Sequence, residues 1–306
     1  MGIKVSLVHS KSNTPIKDSI NKAVNLIDFK IRKPISSVII KPNLCYYWDA
    51  STGYTTDPLV VAGIIDWVRE ECGSNVDIKV VESDATAMRT KYAFKMLGYE
   101  TMAITKGVEL HNLSIDERIS HQVYVQDREI NFTTSKLLMD SDLFINVPKI
   151  KIGRLTKITC AMKNIFGCIS NRRKVQYHPF INHAIVGINK LVKPHLTIVD
   201  GLVGLGSMPV KLDLLMASQD AFSTDCIASK IIGYKPKSID CLKIAAKENL
   251  GNFDGIDVTG ETLEKFQDLF PKLSFISTEN SWPFLLWLLK TYSRIVNDVI
   301  PPILDV

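Results

Sequence analysis

Apolar residues recur along this chain in two alternating rhythms. Ile3 to Val8, Val38-Ile39-Ile40, Ile78 to Val81, Leu143 to Val147 and Leu196 to Val199 are short, nearly continuous apolar runs, the pattern of strands buried on both faces of a parallel sheet. Between them, apolar residues return at helical spacing. This predicts helices over Ser19 to Ile31, from Pro58 to Cys72, Tyr92 to Leu97, Ala184 to Leu191, Thr224 to Ile232 and Ile239 to Glu248. Thr56 and Asp57 are cap candidates for the second of these, with Pro58 in its first turn, and Gly98 is a stop for the third. Gln126-Asp127-Arg128 reads as a hairpin turn inside a β-rich stretch, and Thr134 to Met139 as a short helix. The alternation predicts an α/β protein with an open, mostly parallel β-sheet and helices on both faces, either one large domain or two intimately joined lobes.

Past Gly251 the rhythm weakens. A small strand at Ile256 to Val258, a helix near Thr262 to Phe270 and a strand at Leu273 to Ile276 are expected, then the apolar run Trp282 to Leu289. That run falls well short of the roughly 20 residues a membrane-spanning helix needs, so it suits a core helix, a partner-binding helix or a membrane-surface helix. We therefore expect a main domain over 1–250 and a C-terminal extension over 251–306, whose apolar helix packs on the core or on a partner.

Charge changes the picture locally. The net charge of +5 is mild, but Leu143 to Val199 contains no Asp or Glu and ten cations: Lys149, Lys151, Arg154, Lys157, Lys163, Arg172, Arg173, Lys174, Lys190 and Lys193. These need counter-charges from elsewhere in the fold, from solvent, or from an anionic ligand. Lys149 and Lys151 alternate at a strand end and so share a side of the chain. Thr156, Thr159 and Lys163, at spacings of three and four, share a face of a helix predicted over Leu155 to Gly167, with Asn164 beside them. Such donors at a helix start suit phosphate or carboxylate. A solvated basic face explains Arg172-Arg173-Lys174 well. It explains Lys163 poorly, because Ala161, Met162, Ile165 and Phe166 crowd it. Lys41 and Pro42 follow a buried strand, where open α/β sheets bind ligands, although a plain strand exit reads the same way.

His178 lies next to the basic run. A lone histidine is more often structural, but lysines nearby depress its pKa and favour a neutral imidazole able to act in proton transfer. Glu82, Asp200, Asp220 and Asp225 follow or flank strand ends and serve as caps, as counter-charges for lysine, or as oxygen ligands for a hard metal such as Mg²⁺. The six cysteines contain no C-x-x-C pair, so no iron–sulfur cluster or zinc ribbon is expected within this chain. Neither G-x-x-x-x-G-K-[ST] nor G-x-G-x-x-G occurs, and G-x-S-x-G is absent too. The start of the chain is too short for a signal sequence and reads as a first strand, so a cytoplasmic location is expected.

Lys41-Pro42-Asn43, Thr56-Asp57-Pro58, Glu82-Ser83, Asn146-Val147-Pro148-Lys149-Ile150-Lys151 and Thr159-Cys160-Ala161-Met162-Lys163-Asn164-Ile165-Phe166-Gly167 together resemble the domain of unknown function 362 family. The resemblance continues through His178, Asp200-Gly201, Gly206-Ser207-Met208-Pro209, Asp220, Asp225 and Gly233, covering about residues 38–233. It implies an α/β fold with functional residues at the strand ends named above. Many members also carry a ferredoxin-like cluster domain, whose cysteines are missing from this chain. Where members often have a histidine after Pro-Lys-x-Lys, this sequence has Arg154, which suggests an anion contact in place of a metal ligand. Members are also distantly similar to nickel-pincer lactate racemases, whose histidine-rich set is not evident here.

The leading expectation is an enzyme acting on a small anionic substrate. Lys163, His178, Lys149 and Asp200 would be catalytic, and Lys41, Asn43, Lys151, Arg154, Thr159, Asn164 and Gly206 would bind substrate. Asp57, Glu82, Asp220 and Asp225 would be available to a divalent metal. A nucleic-acid or nucleotide binder using the basic block is a second reading, and an accessory protein docking a partner through Trp282 to Leu289 a third. Association into a homo-oligomer is compatible with all three.

Overall fold

The computed structural model describes residues 2–32, 34–86, 88–270 and Thr291. In chain order it contains β1 (Ile3–His9), α1 (Ile16–Leu26), β2 (Ser37–Pro42), α2 (Pro58–Cys72), β3 (Asp77–Glu82), α3 (Thr90–Met96), α4 (Tyr99–Lys106) and β4 (Glu109–Asn112). Then come β5 (Arg118–Val125), β6 (Arg128–Ser135), α5 (Lys136–Met139), β7 (Leu143–Val147), β8 (Lys149–Gly153), β9 (Lys157–Thr159) and α6 (Ala161–Ile165). The remainder is α7 (Ile181–Leu191), β10 (Leu196–Leu205), β11 (Pro209–Ser218), α8 (Ala221–Ile232), α9 (Asp240–Lys247), β12 (Ile256–Gly260) and α10 (Leu263–Gln267).

One large sheet runs β12-β1-β11-β10-β7-β2-β3-β4, with β8 and β9 branching from β10. Its pairings are parallel except those made by β11 and β9, so the open, mostly parallel α/β sheet expected from the sequence is the observed architecture. Strand alternation divides the core in two. Val38, Ile40, Leu143, Ile145, Leu196 and Ile198 pack under α1 to α4, while Ile39, Phe144, Val199 and Met216 pack against α6 to α9 and the β5–β6 hairpin. Apolar runs without polar interruption are what a strand needs when both of its faces are covered.

Two elements differ from the sequence expectation. The Leu155 to Gly167 stretch is the second half of a β8–β9 hairpin followed by a helix of five residues. Lys157 sits at φ 61 and Gly153 lies where a Cβ would stand 2.7 Å from Thr156 Oγ1 and 2.8 Å from Thr159 Oγ1, so a tight β-turn replaces the first helical turns. Thr156 and Thr159 therefore do not share a helix with Lys163. A second helix, α4, follows α3 directly, with Gly98 at φ 79 turning the chain between them. After α9 the chain returns to the main sheet: β12 pairs in parallel with β1 from Ile3↔Ile256 to Leu7↔Gly260, and Phe266 and Phe270 are buried in the core. Trp282 to Leu289, and the strand expected at Leu273 to Ile276, lie outside the described residues.

Chain direction fixes where a ligand site belongs. From β2 the chain moves outward through β3 to β4, and from β7 it moves the opposite way through β10 to β11. β2 and β7 are neighbours, in register from Val38↔Leu143 to Pro42↔Val147. The crevice beyond their carboxyl ends is the switch point at which open α/β sheets take ligands.

Candidate functional site

Lys41, the penultimate residue of β2, is fully buried at this switch point. Its Nζ donates to Glu82 Oε2 at 3.0 Å, to the Pro42 carbonyl at 3.0 Å and to Asn164 Oδ1 at 3.5 Å. Asn164, carried by α6, also donates to the carbonyls of Lys41 and Pro42 and, at 2.8 Å, to Asn146 Oδ1 of β7. The helix is thus stitched across the mouth of the crevice. Gly167 lets it lie this close: a Cβ there would stand 2.6 Å from Lys41 Cε and Nζ and 3.0 Å from Glu82 Oε1. Lys174 joins the same group, donating to Ser83 Oγ and, at 3.4 Å, to the Gly167 carbonyl. Burial lowers its pKa to about 8. Unlike its exposed neighbours Arg172 and Arg173, Lys174 is not part of a solvated face; it is 7% exposed.

Lys149 opens β8 and pairs with Asp200 of β10 at 3.1 Å, both side chains almost wholly buried. Asp200 also accepts the backbone N–H groups of Asp57 at 2.7 Å and Leu202 at 3.1 Å. Asp57 caps α2 through Leu59 N at 2.8 Å, and burial, helped by Asp200, raises its pKa above the ordinary carboxylate value. A cleft of about 270 Å³ lies against this group, lined by Asp49, Ser51, Asp57, Lys149, Leu202 and Val203.

Lys151, two residues on, meets neutral acceptors instead: Asn43 Oδ1 at 2.7 Å and the Tyr54 carbonyl at 2.8 Å. Lys163 donates to Thr156 Oγ1 at 3.3 Å. Among the described residues no carboxylate lies within ion-pair distance of either ammonium. Burial lowers both pKa values, that of Lys163 to about 8; the Lys151 charge lowers that of Lys163 further, and the Lys149 charge lowers that of Lys151. His178, partly buried, has its pKa lowered by burial and then by Lys163, and its Nδ1 is buried without a hydrogen-bond partner among the described residues.

The other expected residues distribute as follows. Thr159 stands opposite Lys151 in the β8–β9 ladder, and Gly206 follows Leu205, the β10 partner of Lys151. Arg154 is exposed in the turn between β8 and β9. The four carboxylates read as metal ligands are not brought together. Asp57 and Asp220 cap α2 and α8, Glu82 holds Lys41, and Asp225 accepts Ala161 N at 2.6 Å and Met162 N at 3.2 Å. Among the described residues no three His, Cys, Asp or Glu side chains converge as a metal site would require. Sequence reasoning missed Asn146 and the Lys174–Ser83 contact. Asn146, a polar residue inside an apolar strand, was a visible signal.

These features define an α/β protein whose switch-point crevice is built from buried lysines. The chain belongs to the family described as a domain of unknown function, DUF362, whose model matches residues 38–230. A thylakoid-associated protein of Synechocystis sp. is 28% identical over 233 residues, covering 72% of this chain and 69% of that protein. Two solved structures are similar at lower levels. One is a protein from Thermotoga maritima, 13% identical with a TM-score of 0.42. The other is the lactate racemase apoprotein from Thermoanaerobacterium thermosaccharolyticum, 12% identical with a TM-score of 0.43. Each match covers 76% of this chain, which spans 58% and 57% of those two structures.

Proposed function

We propose that the chain is an enzyme acting on a small anionic substrate, a carboxylate or phosphate, bound between Lys151 and Lys163. One observation carries this reading: Lys151, buried, and Lys163, partly buried and within reach of its charge, hold only neutral acceptors among the described residues, whereas Lys41 and Lys149 each hold a carboxylate. Two like charges in a poorly solvated site repel, and an anion between them relieves the repulsion and raises both pKa values. Lys151 has three N–H donors and spends two on protein; Lys163 spends one, so donors remain for the ligand. His178, whose pKa burial lowers, is the group for proton transfer, and Lys149, paired with Asp200, lines a further cleft together with Asp57.

The test is a thermal-shift series with acetate, other small carboxylates and phosphate. A ligand bound only by the folded state raises Tm in the wild type, and Lys163→Met is expected to abolish the rise. A nucleic-acid site would instead lose only part of a strongly salt-dependent affinity on that substitution. Equal Tm rises in both proteins would end the proposal.

A further inference from the structure

We propose that Lys163 is a nucleophile whose Nζ condenses with the carbonyl of a small oxo acid to form an imine, while Lys151 holds the carboxylate of the same molecule. The inference rests on the anion-site reading above and names its substrate class.

Among the described residues five lysines surround the crevice, and four of them each hold a carboxylate or two neutral partners. Lys41 and Lys149 hold buried carboxylates, Lys174 is engaged by Ser83 and the Gly167 carbonyl, and Lys151 by Asn43 and the Tyr54 carbonyl. Lys163 differs on two counts. It is partly exposed, so a substrate can reach it, and its hydrogen bond is a long one to a hydroxyl. Its backbone is nonetheless fixed. Asp225 accepts the N–H groups of Ala161 and Met162, Asn189 donates to the Met162 carbonyl at 2.8 Å, and Asn164, the next residue, donates to both β2 and β7. A reactive amine needs such a fixed base and a modest proton affinity. Lys151 on β8, Cys45 on the loop after β2, Cys241 on α9 and His178 before α7 are the titratable groups that face it. Burial, and after it the Lys151 charge, brings the Lys163 pKa from 10.5 to about 8. At neutral pH that exposes on the order of a hundredfold more free amine than an ordinary lysine does.

The step balances without an outside reactant. The Lys163 ammonium gives up two protons as its nitrogen lone pair bonds to the carbonyl carbon and the carbon–oxygen bond breaks. The oxygen leaves with both protons as water, and the nitrogen keeps one proton as a cationic imine. That cation stands next to an electron-poor carbon, the arrangement that eases loss of a proton or of carbon dioxide from the neighbouring position.

The test uses the full chain with glyoxylate or pyruvate and sodium cyanoborohydride, followed by peptide mapping by mass spectrometry. Reduced adduct is expected on Lys163 at on the order of tenfold above any other lysine, with labelling rising as pH passes through about 8. Lys163→Arg keeps the charge and cannot form an imine, so it should retain a Tm rise with acetate while losing the adduct peak. Adduct spread evenly over surface lysines, or wild type labelled no more than Lys163→Arg at the remaining lysines, overturns the inference. If acetate raises Tm and Lys163 stays unlabelled, only the imine fails. If no carboxylate or phosphate raises Tm, the anion site fails with it.

Discussion

Lys149 and Asp200 are 1% and 0% exposed, so neither charge has water to fall back on. Lys149→Met leaves a buried carboxylate supported, among the described residues, by two backbone N–H groups alone and is expected to cost about 3–5 kcal/mol in urea unfolding. Asp225 sets a pH dependence. Burial raises its pKa from 3.8 to about 7, so between those values the folded chain keeps a proton that the unfolded chain has lost. Stability from this group therefore falls as pH rises through that window and levels off above it. Asp225→Asn removes the slope, and the difference between wild-type and variant unfolding curves from pH 4 to pH 8 measures it. An acetate affinity that falls as pH rises through about 8 is the corresponding mark of Lys163. At this scale the sequence identified the lysines but not their states. Lys174 looks like Arg172 and Arg173 in a string of letters, and only the fold turns it inward to Ser83.

Among the elements, α2 was fully legible: Asp57 caps it, Pro58 starts it and Gly73 ends it, as local chemistry dictates. Asp57→Ala is expected to cost about 1 kcal/mol through the lost cap, and Asp57→Ser to recover most of it, by chemical denaturation. The β8–β9–α6 segment was not legible. Its apolar residues sit at spacings that a helix also satisfies, and the deciding facts are long-range: β10 offers an open edge for β8, and Asp225 offers an acceptor for a helix start at Ala161. Gly167 ends this segment against Lys41 and Glu82. Gly167→Ala forces a methyl group into that buried pair and is expected to destabilise by about 1–3 kcal/mol, with a matching loss of Tm.

For the whole molecule, the two-faced sheet follows from strands with no polar side to present, and that much the apolar runs already declared. The sequence could not declare strand order, because β12 reaches β1 only after more than two hundred intervening residues. Nor could it place the switch point, which exists only once β2 and β7 are neighbours. Truncation after Asn249 would remove β12 with Phe266 and Phe270, and is expected to abolish cooperative thermal unfolding.

The lysine crevice is most directly tested by an anomalous-difference map from a crystal soaked in selenate, a heavy-atom analogue of small oxyanions. A peak within hydrogen-bond distance of both Lys151 Nζ and Lys163 Nζ is the expected result. Selenate bound only at exposed residues such as Arg172 and Arg173, with the two lysine nitrogens joined by a protein carboxylate, would contradict it.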